Sequence, residues 1–376
     1  MDIASNRDEI DAWLILLRAP RLHASCVRDL VERHGDATRA LDAARRGDGV
    51  EHATTRAWLR KPDRDAIARD LAWLALDGHH LLTINNADFP PLLRESAGTA
   101  AGLFVAGDTS VLWQPQVAIV GSRNASQNGL ANARSFARAL ASAGFAITSG
   151  LAEGIDAAAH EAALEVGAAT IAVLGTGPDI VYPPRNRDLA ARIESSGALV
   201  SEFAPGTPGR QENFPRRNRI IAGLALGALV VEAGLRSGSL ITARAAIDQG
   251  RDVFAMPGSI HHPLARGCHQ LIRSGAMLVE SADEIVEALR PLAARLGAEL
   301  RERLGACESP RVASPARDPE YSRLLAALDH EALGIDALAE RTGLGASALS
   351  AMLLDLELDG AVASERGGLY VRRQPG

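Results

Sequence analysis

Between Val117 and Glu280 one local pattern recurs: an apolar, β-branched run stops at glycine or serine, and a helical pattern follows. It reads Val-Ala-Ile-Val-Gly-Ser-Arg at 117–123, Thr-Ser-Gly-Leu-Ala-Glu-Gly-Ile-Asp at 148–156 and Ala-Val-Leu-Gly-Thr-Gly at 172–177. Phe-Pro-Arg-Arg-Asn-Arg follows at 214–219, then Val-Glu-Ala-Gly-Leu-Arg-Ser-Gly-Ser-Leu-Ile-Thr-Ala at 231–243. Strands alternating with helices of this length build βαβ units, which assemble into a doubly wound, mainly parallel α/β sheet. Such a sheet gathers its strand-ending turns and helix N-termini on one rim, where backbone N–H groups and helix dipoles attract anions.

The pattern predicts core strands at Val117–Val120, Ala146–Thr148, Thr170–Leu174, Ala198–Ser201, Ala228–Val231 and Asp252–Ala255. Helices are expected near 128–142, 155–166, 186–195, 218–225 and 239–249. Residues 1–80 alternate short helical patterns with breaks at Gly35, Gly47 and Gly49, as in a small helix-hairpin-helix or sterile-alpha-type (SAM-like) domain. An extended Rossmann-like domain is assigned to 81–295, entered through a strand and turn from Leu81. A composition break at Gly305–Asp318 lies in a linker placed at 296–317. Over 318–376, helical patterns at Pro319–Leu328, Ile335–Thr342 and Ser347–Leu358 precede a short hairpin bracketed by Asp359-Gly360 and Gly367-Gly368, which reads as a winged helix.

Several chemistries are excluded by residue type. Of 40 basic residues only Lys61 is lysine, and it lies outside the glycine-rich core. A Walker A loop, whose lysine reaches the terminal phosphates, therefore cannot form, nor can a core Schiff base. The dinucleotide fingerprint Gly-x-Gly-x-x-Gly is absent from the first turn, Gly121-Ser122-Arg123, and Gly175-Thr-Gly177 runs into Pro178. Cys26, Cys268 and Cys307 show no paired spacing, so neither disulfides nor a zinc ribbon are expected. Asp156 and His160 lie four apart on one helix face without a third ligand, and a helix-start carboxylate facing a buried ring accounts for them better than a metal. No 18-residue apolar stretch or basic leader is present, and a cytoplasmic protein with no membrane contact is expected.

The net charge of −6 disfavours a broad polyanion-binding face, but its distribution is uneven. Residues 117–280 carry 15 basic and 13 acidic side chains, and Gly206–Arg219 holds Arg210, Arg216, Arg217 and Arg219 against Glu212 alone. Residues 318–376 carry 5 basic and 10 acidic side chains, and Ser347–Leu358, where a winged helix reads DNA, contains Asp355 and Glu357 with no basic residue. That module is expected to touch proteins rather than phosphates.

Phosphate-binding groups are expected at Gly121, Ser122 and Arg123, at the strand-ending glycines Gly150 and Gly175, and at the turn Ser237-Gly238-Ser239. Arg216, Arg217, Asn218 and Arg219 can meet phosphates or bases. Phe214 and Tyr182 are the nearest stacking platforms, with core packing the alternative for both and above all for Tyr182 beside Pro183.

The order and wording of these five motifs resemble the DNA-processing protein A family (DprA, also called Smf) over roughly residues 84–290. The resemblance implies a single-strand DNA binder without cofactor, metal or catalysis that protects incoming strands and loads RecA in natural transformation and recombination. It further implies that Arg123 and the Phe-Pro-Arg-Arg-Asn-Arg segment line the DNA groove. It implies a homodimer through Met256, Leu264, Leu271, Ile272 and Met277, and leaves the winged helix for further competence proteins. A second resemblance stays open. Val231–Thr242 looks like the phosphate turn of lysine-decarboxylase-like phosphoribohydrolases, although Leu240-Ile-Thr-Ala stands where those enzymes carry their acid, and Glu232 precedes the turn.

Overall fold

The computed structural model describes residues 3–96, 100–303 and, further on, 321, 323, 324, 327, 328, 333–345, 349, 352, 353, 356, 362–365 and 369–372. The chain divides into two compact units, 1–300 and 301–376. The expected linker at 296–317 is helical over its first residues, 296–303, where Leu296 is buried in the core; its remainder, 304–317, and the hairpin turns at 359–360 and 367–368 lie outside the described residues.

In the first unit five helices come first: α1 Ile3–Arg18, α2 Ala24–His34, α3 Ala37–Arg46, α4 Ala53–Arg60 and α5 Arg64–Leu74. Ala12, Trp13, Leu14, Ile15 and Leu16 are all buried, so the second half of α1 is covered around its circumference, while its polar first half, with Arg7 and Asp8, is exposed. The sheet follows as β1 His79–Thr83, β2 Gly102–Gly107, β3 Gln116–Val120, β4 Ala146–Ser149, β5 Thr170–Leu174, β6 Ala198–Ser201, β7 Gly227–Val230, β8 Asp252–Ala255 and β9 Met277–Leu278. Between these lie α6 Pro91–Glu95, α7 Gln127–Ser142, α8 Ile155–Glu165, α9 Arg187–Ser196, α10 Asn213–Leu224, α11 Ser239–Asp248 and α12 Arg266–Arg273, with α13 Ala282–Arg303 last.

The strand order is β1-β2-β6-β5-β4-β3-β7-β8-β9. From β3 to β9 the neighbours are parallel, and β5–β6 likewise; β1–β2 and β2–β6 are antiparallel. The chain winds outward from β3 through β4, β5 and β6, then returns to place β7 on the other side of β3. That reversal between β3 and β7 opens a crevice at the carboxyl ends of the strands, since the connections leave in opposite directions.

Alternation along each strand supplies two cores, because a central parallel strand is covered on both faces. On β3, Ala118 and Val120 join α10 and α11, whereas Val117 and Ile119 join α7, α8 and α13. Further out, Phe104 and Leu199 share a core with α1 and α9, so the N-terminal helices complete a face of the sheet. Arg18 fastens this join, pairing with buried Asp70 at 2.5 Å and donating to the Pro205 carbonyl at 2.8 Å.

Helix α10 departs from the sequence expectation of 218–225. It begins five residues earlier, at Asn213. Pro215 therefore sits in the first turn, where its missing N–H would have no intrahelical partner anyway. The second unit holds β10 Leu333–Gly334, α14 Ile335–Thr342, β11 Val362–Glu365 and β12 Leu369–Arg372, with strand order β10-β12-β11. Leu324, Leu338, Leu349, Leu353 and Val362 form its core, as a winged helix requires.

Candidate nucleic-acid interface

The crevice at the switch point is a groove of about 740 Å³. Its walls are the Gly121–Asn124 turn after β3, the Gly234–Ser239 turn before α11, and the first two turns of α10. Close backbone approach builds it. Gly154, at φ 78°, lies so near the Ser122 and Arg123 carbonyls that a side chain there would collide with both. The turns after β3 and β4 are thereby pressed together, and Ser122 O accepts from Ile155 N at 3.2 Å.

Of the residues expected to bind phosphate or base, Gly121, Ser122, Arg123, Phe214, Arg217, Asn218, Ser237, Gly238 and Ser239 all line the groove. Arg123 is exposed, with its guanidinium 5.5 Å from the Phe214 ring centroid. Tyr182 is 48% exposed rather than packed in the core, and its ring lies 5.4 Å from Phe214 at 44°. Gly175 lies beneath Phe214, and an added Cβ would meet that ring at 2.7 Å. Gly150 borders a small adjoining recess of about 100 Å³.

The four residues 216–219 separate by helical phase. Successive residues on a helix point about 100° apart, so the four cannot all share one face. Arg216 is exposed and turns away from the groove toward Phe203. Arg217 is buried at 4% exposure: it donates to Gly150 O at 2.6 Å, to Val173 O, and through Nε to Asn218 Oδ1 at 2.9 Å. Asn218 in turn donates to Gly238 O at 3.3 Å. Arg217 thus ties α10 to the ends of β4 and β5 at the groove floor. Burial lowers its pKa to about 10, against the opposing charge of Asp156, and it stays cationic at neutral pH. Arg219 pairs with Glu202.

Arg236 was not singled out from the sequence. It is exposed and lines the groove opposite Arg123. Its only sequence signal is its place inside the glycine turn before α11. Asp156 is the groove's acidic lining residue; burial raises its carboxyl pKa, opposed by Arg217 and by N–H groups of Ala152 and Gly150 at 3.4 and 3.2 Å. Glu232 faces elsewhere. It accepts from Ser126 N and Oγ at 2.9 and 2.5 Å, fixing the N-terminus of α7, where the helix dipole favours a carboxylate.

His160 does not face Asp156 in a proton-transfer pair. Its Nδ1 lies 2.7 Å from Thr170 Oγ1, and that hydroxyl donates to Ile147 O, so Nδ1 carries the ring proton. Burial, then the Arg217 charge, depress its pKa to about 3. The unfolded ring takes a proton near 6.5, so stability falls as pH drops from 6.5 toward 3, by up to about 1.4 kcal/mol per pH unit. Asp156 acts oppositely: its raised pKa gives stability that is present below the ordinary carboxyl value and lost as pH rises. Urea unfolding of the parent and of His160→Gln at pH 7 and pH 5 separates the two, since Asp156 is common to both. The parent should lose more stability on acidification; equal losses would refute the assignment.

Among the described residues no three His, Cys, Asp or Glu side chains converge as a metal site. No helix among them is long and apolar enough to cross a membrane. Of the apolar set near the sheet edge, Met256 and Leu271 are core residues, leaving Leu264 and Ile272 half-buried and Met277 exposed.

Comparison with known proteins places residues 80–290 in the DNA recombination-mediator protein A family profile and residues 308–368 in the DprA winged helix domain profile. Protein Smf of Escherichia coli K12 is 44% identical over 310 residues, covering 82% of this chain and 81% of that protein. The X-ray structure of DNA processing protein A from Streptococcus pneumoniae superimposes with a TM-score of 0.66 at 35% identity, covering 74% of this chain and 97% of that one. DNA processing protein A from Helicobacter pylori, solved in a study of its single-stranded DNA binding mode, gives 0.51 at 28%, covering 56% and 96%.

Proposed function

The chain belongs to the DNA recombination-mediator protein A family, and from that membership we propose that it binds single-stranded DNA in the switch-point groove. One observation carries the reading. Arg123 and Arg236 face a single concave groove from opposite turns, with an aromatic platform at Phe214 and Tyr182 between backbone-rich phosphate turns. A single strand presents phosphates and unstacked bases together, and this mixture of cations and rings suits it better than the uniform phosphate face of a duplex. The strand is then handed to RecA during transformation or recombination, in the cytoplasm, by a homodimer that uses the edge at Leu264, Ile272 and Met277. The protein acts by binding, without turnover.

The phosphoribohydrolase reading has less support, because Glu232, the acid nearest its phosphate turn, is engaged by the start of α7. Fluorescence anisotropy with single-strand, duplex and mononucleotide ligands tests the choice. Tight binding restricted to the single strand is expected; preference for the mononucleotide, with release of its base, would favour the enzyme. RecA loading is checked separately by the rate of RecA filament growth on strands coated with single-strand-binding protein.

The acidic winged helix is assigned to protein contacts. Removing residues 306–376 should leave single-strand affinity within a few fold, since residues 318–376 of that segment place ten acids against five basic side chains. A hundredfold loss in a truncated protein that is still folded would show that the module carries DNA.

A further inference from the structure

Beyond the ridge formed by Phe214, Pro215 and Arg216, a second recess of about 290 Å³ lies between the α1–α2 turn and the loop after β6. Leu17, Arg21, His23, Phe203 and Arg216 wall it. The Arg216 guanidinium stands 5.4 Å from the Phe203 ring centroid. Arg21 and Arg216 are both exposed, and neither pairs with a carboxylate among the described residues. Arg21 also sits in the left-handed region at φ 60°, in a turn closed by Leu22 N donating to Ala19 O at 3.2 Å. Glycine would adopt that conformation without strain, so the position holds an arginine side chain against its backbone preference.

Two more features point to a ligand. Helix α2 begins at the recess wall, and His23 at its cap position supplies no side-chain hydrogen bond to the first amides. The side chain of Glu202, which also lines the recess, is 9% exposed; Arg219 takes Oε1, while Oε2 is buried without a hydrogen-bond partner. An acceptor in that state lacks a donor, which a phosphate cannot provide and an amino-bearing base can.

We propose that this recess is a second nucleotide subsite, continuing the strand path of the groove onto the N-terminal helices; it rests on the single-strand reading above. Arg21 and the opening amides of α2 take a phosphate. The base stacks on Phe203 beside Arg216 and turns an exocyclic amino group, which cytosine has and thymine lacks, toward Glu202.

The test uses the full chain with a short oligonucleotide of about five nucleotides and a long one of about twenty, spanning the usual site sizes of single-strand binders. Arg21→Glu should weaken binding of the long strand about tenfold and leave the short one, held in the groove, unchanged. Arg21→Gly, which relieves the backbone, should give a smaller loss on the long strand alone. Lys61→Glu, a matched reversal at the exposed end of α4 and outside the recess, should change neither. Long oligodeoxycytidine should bind the parent more tightly than oligodeoxythymidine. An Arg21→Glu loss that is absent, equal at both lengths or matched by Lys61→Glu would overturn the subsite, as would equal affinity for the two homopolymers. Failure of the parent to bind any single strand would instead overturn the functional reading.

Discussion

Reversing Arg123 and Arg236 together to glutamate is expected to weaken single-strand binding by on the order of a hundredfold at low salt, without unfolding the protein. Both side chains are exposed on opposite walls of the groove, and neither pairs with a carboxylate among the described residues. Their loss therefore removes phosphate contacts without breaking an internal pair. Each phosphate neutralised on a single strand releases counterions and adds about 0.7 to the slope of log affinity against log salt. The double variant should thus show a slope flatter by about 1.4 as well as a weaker constant. Titrations by fluorescence anisotropy across a salt series measure both. Unchanged affinity and slope would remove the groove from consideration as the strand's path. Arg219 offers a contrast, since its ion pair with Glu202 already engages the guanidinium.

Arg217→Met should lower the stability of the 1–300 unit by about 3–5 kcal/mol, the usual consequence of removing one member of a buried charged network. The guanidinium serves the Gly150 and Val173 carbonyls and the Asn218 side chain, and its charge opposes the desolvation of Asp156. Methionine fills similar volume but leaves those acceptors without this donor and the buried carboxyl without its counter-charge. For a unit of this size the midpoint of thermal unfolding should fall by roughly 5–15 °C. Arg217→Lys should recover little, because a single ammonium cannot reproduce the planar fork that reaches two strand ends and a side chain. A melting temperature within a degree of the parent would show that α10 is held to the sheet by apolar packing alone. Together the two experiments distinguish arginines that meet the ligand from one that holds the groove's floor.

The core strands were legible because their signals are local. At Thr170–Leu174, Ala198–Ser201 and Asp252–Ala255 the expected bounds coincide with the observed strands, since each apolar run ends in its own turn residue. Helix α10 was read short at its start because Pro215 looks like a helix breaker until it is placed in the first turn, where it is tolerated. Beside Pro183 the sequence leaves Tyr182 between a stacking platform and a core residue, and only its exposure and the tilt of its ring against half-buried Phe214 place it at the groove.

The sequence by itself determined the alternating strand–helix order, the gathering of glycine turns on one rim, and the absence of any lysine chemistry in the core. These depend on residue type and short spacing, which act within one or two turns of chain. Tertiary structure decided which way each charge faces. The phase of α10 buries Arg217 and sends Arg216 to the other side of the ridge. Glu232 and Ser126, 106 residues apart, meet because β7 returns beside β3, and that pairing makes the carboxylate a helix anchor. Arg18 reaches Pro205 across 187 residues and brings the N-terminal helices to the sheet. Such contacts are products of long-range winding and helix phase, which no local window of sequence contains.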